Sequence, residues 1–232
     1  MKIGIIGTSH SEGNIQYTGS VKRTLPFEQH LKNAMPQHEF INLAKAGRGS
    51  ERYLDCIVTA KEKYNVDAIL IEYAADRSSN HYWYNESAID KLKDAKTIAS
   101  ELIEDTHCYI RSLQGIKEDN EGILKDIPQK KFEIFKEVNS IIFRESKYVI
   151  TMGIKNVYQS LQLCKLLDIK FIPWEYTYTE IPIKREYVKT MLQYIKENNL
   201  QAELCDGYHS NDKVYNLAAH NFFKPLVEQC IK

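Results

Sequence analysis

No long apolar run, no net charge and no close pair of cysteines occur in this sequence, and each absence removes a class of protein. A membrane span needs about 18 or more consecutive apolar residues, and no stretch approaches that length. Ahead of Thr8 stand one lysine and a short apolar run, too little for the apolar region of a signal peptide. A cytoplasmic protein with no membrane partner is therefore expected. The 232 residues include 31 basic and 31 acidic side chains, so there is no long-range positive field to draw in a nucleic acid. The five cysteines (Cys56, Cys108, Cys164, Cys205 and Cys230) are odd in number, widely spaced and without a CxxC pair. They read as reduced thiols, neither a disulfide frame nor a zinc site. The seven histidines include no HExxH or other tight ligand spacing, so no metal is expected. "GIIGTS" begins like a nucleotide-binding fold but does not continue to GxGxxG, and no Walker sequence is present.

What is present is an ordinary globular composition, 43% hydrophobic and 27% charged, in a chain long enough for one large domain. Short β-branched runs alternate with helical stretches. Strands are expected at 2–7, 38–44, 67–74, 147–152 ("KYVITM") and 169–176 ("IKFIPWEY"). Helices are expected around Pro26 (20–35), at 50–64 with Ser50 as its N-cap, at 156–168, at 184–198 and at 211–230. Near-continuous apolar strands separated by helices describe an open, doubly wound α/β domain, its parallel sheet covered on both faces. The stretch 77–146 is longer than one crossover requires. Leu92, Ala95, Ala99, Leu102, Thr106, Tyr109 and Leu113 recur at three- and four-residue steps, the stripe of a long helix. A second helix is expected at 130–143. This helical insertion is either an elongated crossover with a packed hairpin, or a lid or dimerisation arm that would make the protein a homo-oligomer.

Ligands of open parallel sheets collect beyond the carboxyl ends of the strands, which directs attention to the loops there. In "CDGYHSND" Asp206 and His209 stand three apart, a spacing that can set a carboxylate against one imidazole nitrogen and leave the other to act as a base. The same aspartate can equally form a turn around Gly207. Ser9 in "GTSHSEG" is either a helix cap or a nucleophile. In "AGRGSE" the glycines make a tight turn, or allow a backbone N–H at Gly49 to approach an oxyanion. "NHYWYNE" (80–86) and Trp174 with Glu175 are each either an aromatic rim suited to sugar rings or buried anchors.

Taken together and in this chain order, "IIGTSHSEG", "NLAKAGRGSE" and "DGYHSND" resemble the SGNH, or GDSL-type, hydrolase family. The resemblance implies a single domain over 1–232 with a five-stranded, flavodoxin-like parallel sheet and the insertion at 77–146. It also implies an esterase with Ser9 as nucleophile, His209 as base and Asp206 orienting it. The amides of Ser9 and Gly49 would bind the oxyanion, with Gly47 as the alternative donor, and no cofactor is required. Two positions depart from the family pattern. Thr8 stands in place of the usual aspartate, and Ala75 in "YAADRS" stands where an asparagine normally donates to the oxyanion. Arg77 or Asn80 would replace that donor, or the two amides act alone. His10, Asp76, Arg77, Asn80 and Trp174, together with Gly47, are the candidate substrate contacts. The reading is a serine hydrolase of an ester, with an O-acetyl group on a carbohydrate as the substrate implied by family habit. The alternative is a non-catalytic binding or assembly protein on the same scaffold, and a transferase is the third option.

Overall fold

The computed structural model describes residues 1–8, 10–12, 25–44, 50–73, 81–84, 107–110, 146–176, 190–205 and 209–232. Four parallel strands form its main sheet: β1 (Lys2–Ile6), β2 (Glu39–Asn42), β3 (Ala68–Tyr73) and, numbered after a separate antiparallel pair, β6 (Lys170–Glu175). Their order is β2-β1-β3-β6. β1 pairs with β2 from Lys2 opposite Glu39 to Ile5 opposite Asn42, and with β3 from Ile3 opposite Ala68 to Ile6 opposite Ile71. The winding direction reverses beside β1, which makes the carboxyl ends of β1 and β3 the switch point where such sheets leave a crevice.

Side chains alternate across each strand, and the two faces build two cores. On one face Ile3, Ile5, Ala68, Leu70, Ile172 and Trp174 pack against helices α1 (Phe27–Ala34), α4 (Met191–Glu197), α5 (Asp212–Ala218) and α6 (Lys224–Ile231). A π-helical turn, Ala219–Phe223, joins the last two. On the other face Ile6, Ile69, Ile71 and Tyr73 pack against α2 (Tyr53–Tyr64) and α3 (Ser146–Leu166). The doubly wound α/β arrangement is thus observed. In α1 the buried residues Phe27, His30, Leu31 and Ala34 follow the three-four step of a helix with one core face. Pro26, extended at φ −64° and ψ 150°, ends it on the amino side. α4 starts at a capping box, in which Thr190 Oγ1 accepts from Gln193 N–H and Gln193 Oε1 accepts from Thr190 N–H.

Three sequence expectations are corrected here. Residues 147–152 are the opening turns of α3 and not a strand. Among the described residues the parallel sheet therefore has four strands where five were expected. The β-branched residues of "KYVITM" favour a strand only locally, and the apolar positions at 150, 154, 157, 161 and 164 carry a helical period straight through them. Ser50 begins a short 3-10 turn (Ser50–Arg52) instead of capping α2, and its hydroxyl accepts from Asn156 Nδ2 at 3.1 Å. Finally, Tyr109 lies on strand β5 (His107–Ile110), antiparallel to β4 (His81–Tyr84), so no single helix runs from Leu92 to Leu113. Residues 92–106 and the helix expected at 130–143 lie outside the described residues. No described helix is long and apolar enough to cross a membrane.

Candidate functional site

At the switch point the chain leaves β1 through Gly7 and turns tightly. The N–H groups of Ser11 and Glu12 both donate to Thr8 C=O, at 3.1 and 3.0 Å. The carboxyl of Glu72, one residue before the end of β3, holds this turn from beneath. Glu72 Oε2 accepts from Thr8 N–H at 2.9 Å and from the Ser11 hydroxyl at 2.7 Å, while Oε1 accepts from the Thr8 hydroxyl at 2.8 Å. Thr8, Ser11 and Glu72 are all buried. A carboxyl at such a place is tolerable because its oxygens are satisfied. The approach also explains Gly7: a Cβ there would stand 2.6 Å from Glu72 Oε2, far inside contact distance. Tyr53 of α2 donates its hydroxyl proton to Glu72 C=O, tying the end of β3 to the opposite face.

From the neighbouring strand, Asn42 locks the same turn sideways. Its Nδ2 donates to Ser11 C=O at 2.9 Å and to Glu28 Oε2 at 2.7 Å, and its Oδ1 accepts from Ala44 N–H at 2.9 Å. Asn42 in this way ties the turn after β1 to the first residues after β2.

His10 is buried in this turn. Its ring lies flat on Tyr176, just past β6, with centroids 3.6 Å apart and planes 11° from parallel. The Tyr215 hydroxyl of α5 donates to His10 C=O at 2.5 Å. The ring of His209 is 4.8 Å from that of His10, tilted by 31°. His209 is itself well anchored: its carbonyl accepts from Cys205 N–H at 2.7 Å, and Leu204 bridges Ser210 across the loop. Asn211 then caps α5 through Val214 N–H at 3.0 Å and donates to Glu203 Oε2 at 2.9 Å. Lys213 Nζ reaches Glu203 Oε1 at 2.5 Å. The hydrogen bonds from Lys213 and Asn211 hold the Glu203 carboxyl below the usual carboxylate range. Tyr176 Oη also comes within 3.4 Å of Ser210 Oγ.

The outcome is two imidazoles, from opposite ends of the chain, side by side beyond the carboxyl edge of the sheet. His209 is half-buried. Of the residues singled out from sequence, His10 and His209 are brought together. Trp174 is not among them: it is fully buried in the core against Phe27 and Phe223, with ring centroids at 6.1 and 5.0 Å. It is an anchor and not a rim aromatic. Ser9, Gly47, Gly49, Ala75, Asp76, Arg77, Asn80 and Asp206 lie outside the described residues. Sequence reasoning missed Glu72, Asn42, Tyr176 and Tyr215. Glu72 did leave a signal, as the one charge inside the otherwise apolar "AILIEY". Among the described residues no group of three or more His, Cys, Asp or Glu side chains is placed to hold a metal ion.

No family model matches this chain, and no curated protein does. Several solved structures resemble it loosely. They include a lipase/acylhydrolase from Enterococcus faecalis (14% identity, 97% of this chain and 92% of that one, TM-score 0.36). An acetyl xylan esterase from Geobacillus stearothermophilus is similar at 11% identity, 97% and 94% coverage and a TM-score of 0.35. An α/β hydrolase from the metagenome of Lake Arreo, Spain, is similar at 9% identity, 100% and 96% coverage and a TM-score of 0.38. Superpositions this loose assign no activity.

Proposed function

We propose that the chain is a serine hydrolase that cleaves an ester, with Ser9 as nucleophile, His209 as general base and Asp206 orienting the imidazole. The observation that supports this reading is the contact between His10 and His209, centroids 4.8 Å apart. Ser9 is bonded directly to His10, and the residues on both sides of it, Thr8 and His10, are buried at the end of β1.

In the reaction, Ser9 Oγ attacks the ester carbonyl carbon while His209 takes the hydroxyl proton. The oxyanion is stabilised by the amides of Ser9 and Gly49, Ala75 having no side-chain donor to offer. The C–O bond to the alcohol then breaks and His209 returns the proton to the departing oxygen. Water, deprotonated by His209, attacks the acyl-enzyme and releases the acid and Ser9. The proposed substrate is a short acyl ester, an O-acetyl group on a carbohydrate. The proposed unit is one domain, with the segment at 77–146 inserted between β3 and α3.

Hydrolysis of 4-nitrophenyl acetate by wild type, Ser9→Ala and His209→Ala tests the assignment. Loss of at least about 10³-fold in turnover is expected in each variant. A folded Ser9→Ala protein with full activity would exclude Ser9 as the nucleophile.

A further inference from the structure

We propose that His10 is a positioning residue for His209: a fixed aromatic wall that holds the imidazole of the base in one orientation. The proposal rests on the hydrolase reading for its consequence in catalysis, though not for its geometry.

Three restraints immobilise His10 itself. The flat stack on Tyr176 at 3.6 Å fixes its ring plane, the hydrogen bond from Tyr215 Oη fixes its carbonyl, and burial leaves the side chain no room to rotate. His209 differs. Its main chain is pinned by Cys205 and the bridge at Ser210, and its side chain is half-buried. A carboxylate partner at one ring nitrogen sets the tautomer and one direction, but leaves the ring able to swing about that hydrogen bond. The His10 plane, 4.8 Å away, blocks that swing on one side. Tyr176 serves both histidines, since its ring carries His10 and its hydroxyl lies 3.4 Å from the hydroxyl of Ser210, the residue after His209. The ends of β1 and β6 and the start of α5 thereby converge on the orientation of one imidazole.

Orientation matters because a general base must keep its acceptor nitrogen within hydrogen-bond reach of the proton it removes. A displacement of about 1 Å in such a group lowers rate on the order of 10²-fold.

The test compares His10→Ala, which removes the wall, with His10→Phe, which restores a ring. It reads the rate of fluorophosphonate capture at Ser9, kcat and KM on 4-nitrophenyl acetate, and the His209 ring-proton resonances by NMR. His10→Ala should slow capture and kcat by roughly 10- to 100-fold with KM unchanged, and move and broaden the His209 resonances. His10→Phe should recover capture to within about 3-fold of wild type, the plane being restored. Tyr176→Leu, which withdraws the support beneath His10 and leaves His10 in the chain, should shift the same His209 resonances and remains informative if His10→Ala does not fold. Wild-type capture rates and unmoved His209 resonances in His10→Ala would overturn the proposal. So would a His10→Phe protein as slow as His10→Ala at wild-type melting temperature. If wild type itself is never captured, the hydrolase reading fails, and the NMR comparison alone decides whether His10 holds His209.

Discussion

Replacing Glu72 by alanine should destabilise the whole β1–β3 edge, by an amount set by the donors it abandons. The carboxyl accepts from the Thr8 amide, the Thr8 hydroxyl and the Ser11 hydroxyl at 2.9, 2.8 and 2.7 Å. The Thr8 amide cannot turn elsewhere, and a buried donor left without a partner costs about 1–3 kcal/mol. The two hydroxyls can rotate, so each loses only the net worth of its bond, about 0.5–1.5 kcal/mol. A total of about 2–6 kcal/mol follows for Glu72→Ala, which at about 2–4 °C per kcal/mol for a chain of this size lowers Tm by roughly 10 °C at the middle of that range. Glu72→Gln is the control. Its oxygen can keep the two donors now on Oε2, and its amide can donate to Thr8 Oγ1, limiting the loss to about one hydrogen bond, 0.5–1.5 kcal/mol. Urea denaturation followed by circular dichroism, alongside a thermal scan, measures both variants. An alanine variant as stable as the glutamine variant would refute the clamp, because it would mean the three bonds contribute nothing beyond filling space.

Other outcomes follow from the same packing. Gly7→Ala places a methyl against Glu72 and Ser11 and should lower stability by about 1–3 kcal/mol through overpacking, read by the same denaturation. The Glu203 carboxyl is held below its ordinary range by Lys213 and Asn211. Its contribution is therefore fully present above the ordinary carboxylate range and is lost as pH falls through the depressed value. Acid titration of wild type should show the His209 loop loosening there by NMR, and Glu203→Gln should remove that dependence. Burial pushes the Cys164 thiol up to about 12, so iodoacetamide at pH 8.5 should leave Cys164 unmodified in the native protein and alkylate it in urea, as mass spectrometry of peptides will show.

β1 and β3 were legible because each is a short apolar run buried on both faces, the pattern "KIGII" and "AILIEY" display directly. "KYVITM" carries the same local chemistry and misled for that reason; only the longer helical period extending to Cys164 separates the two cases. Ser50 looked like a cap because it precedes a helix, but a 3-10 turn intervenes and moves the α2 boundary to Arg52. At the site, His209 could be singled out from its neighbours in sequence. Its contact with His10 could not, since it depends on how the end of β1 and the start of α5 meet in space. Glu72 was visible as a lone charge in an apolar strand, yet its purpose needed the register that sets Ile6 beside Ile71 and so brings Gly7 next to it. Trp174 illustrates the reverse: an aromatic at a strand end suggests a rim, and the fold turns it inward against Phe27 and Phe223.

A serine hydrolase of this kind requires Ser9 to be an activated nucleophile. Purified wild type, Ser9→Ala and His209→Ala should be treated with a fluorophosphonate and read by intact mass. A single adduct on wild type, with none on either variant, is the expected result. A folded wild-type protein that takes up no adduct, or an adduct that persists in Ser9→Ala, would contradict it.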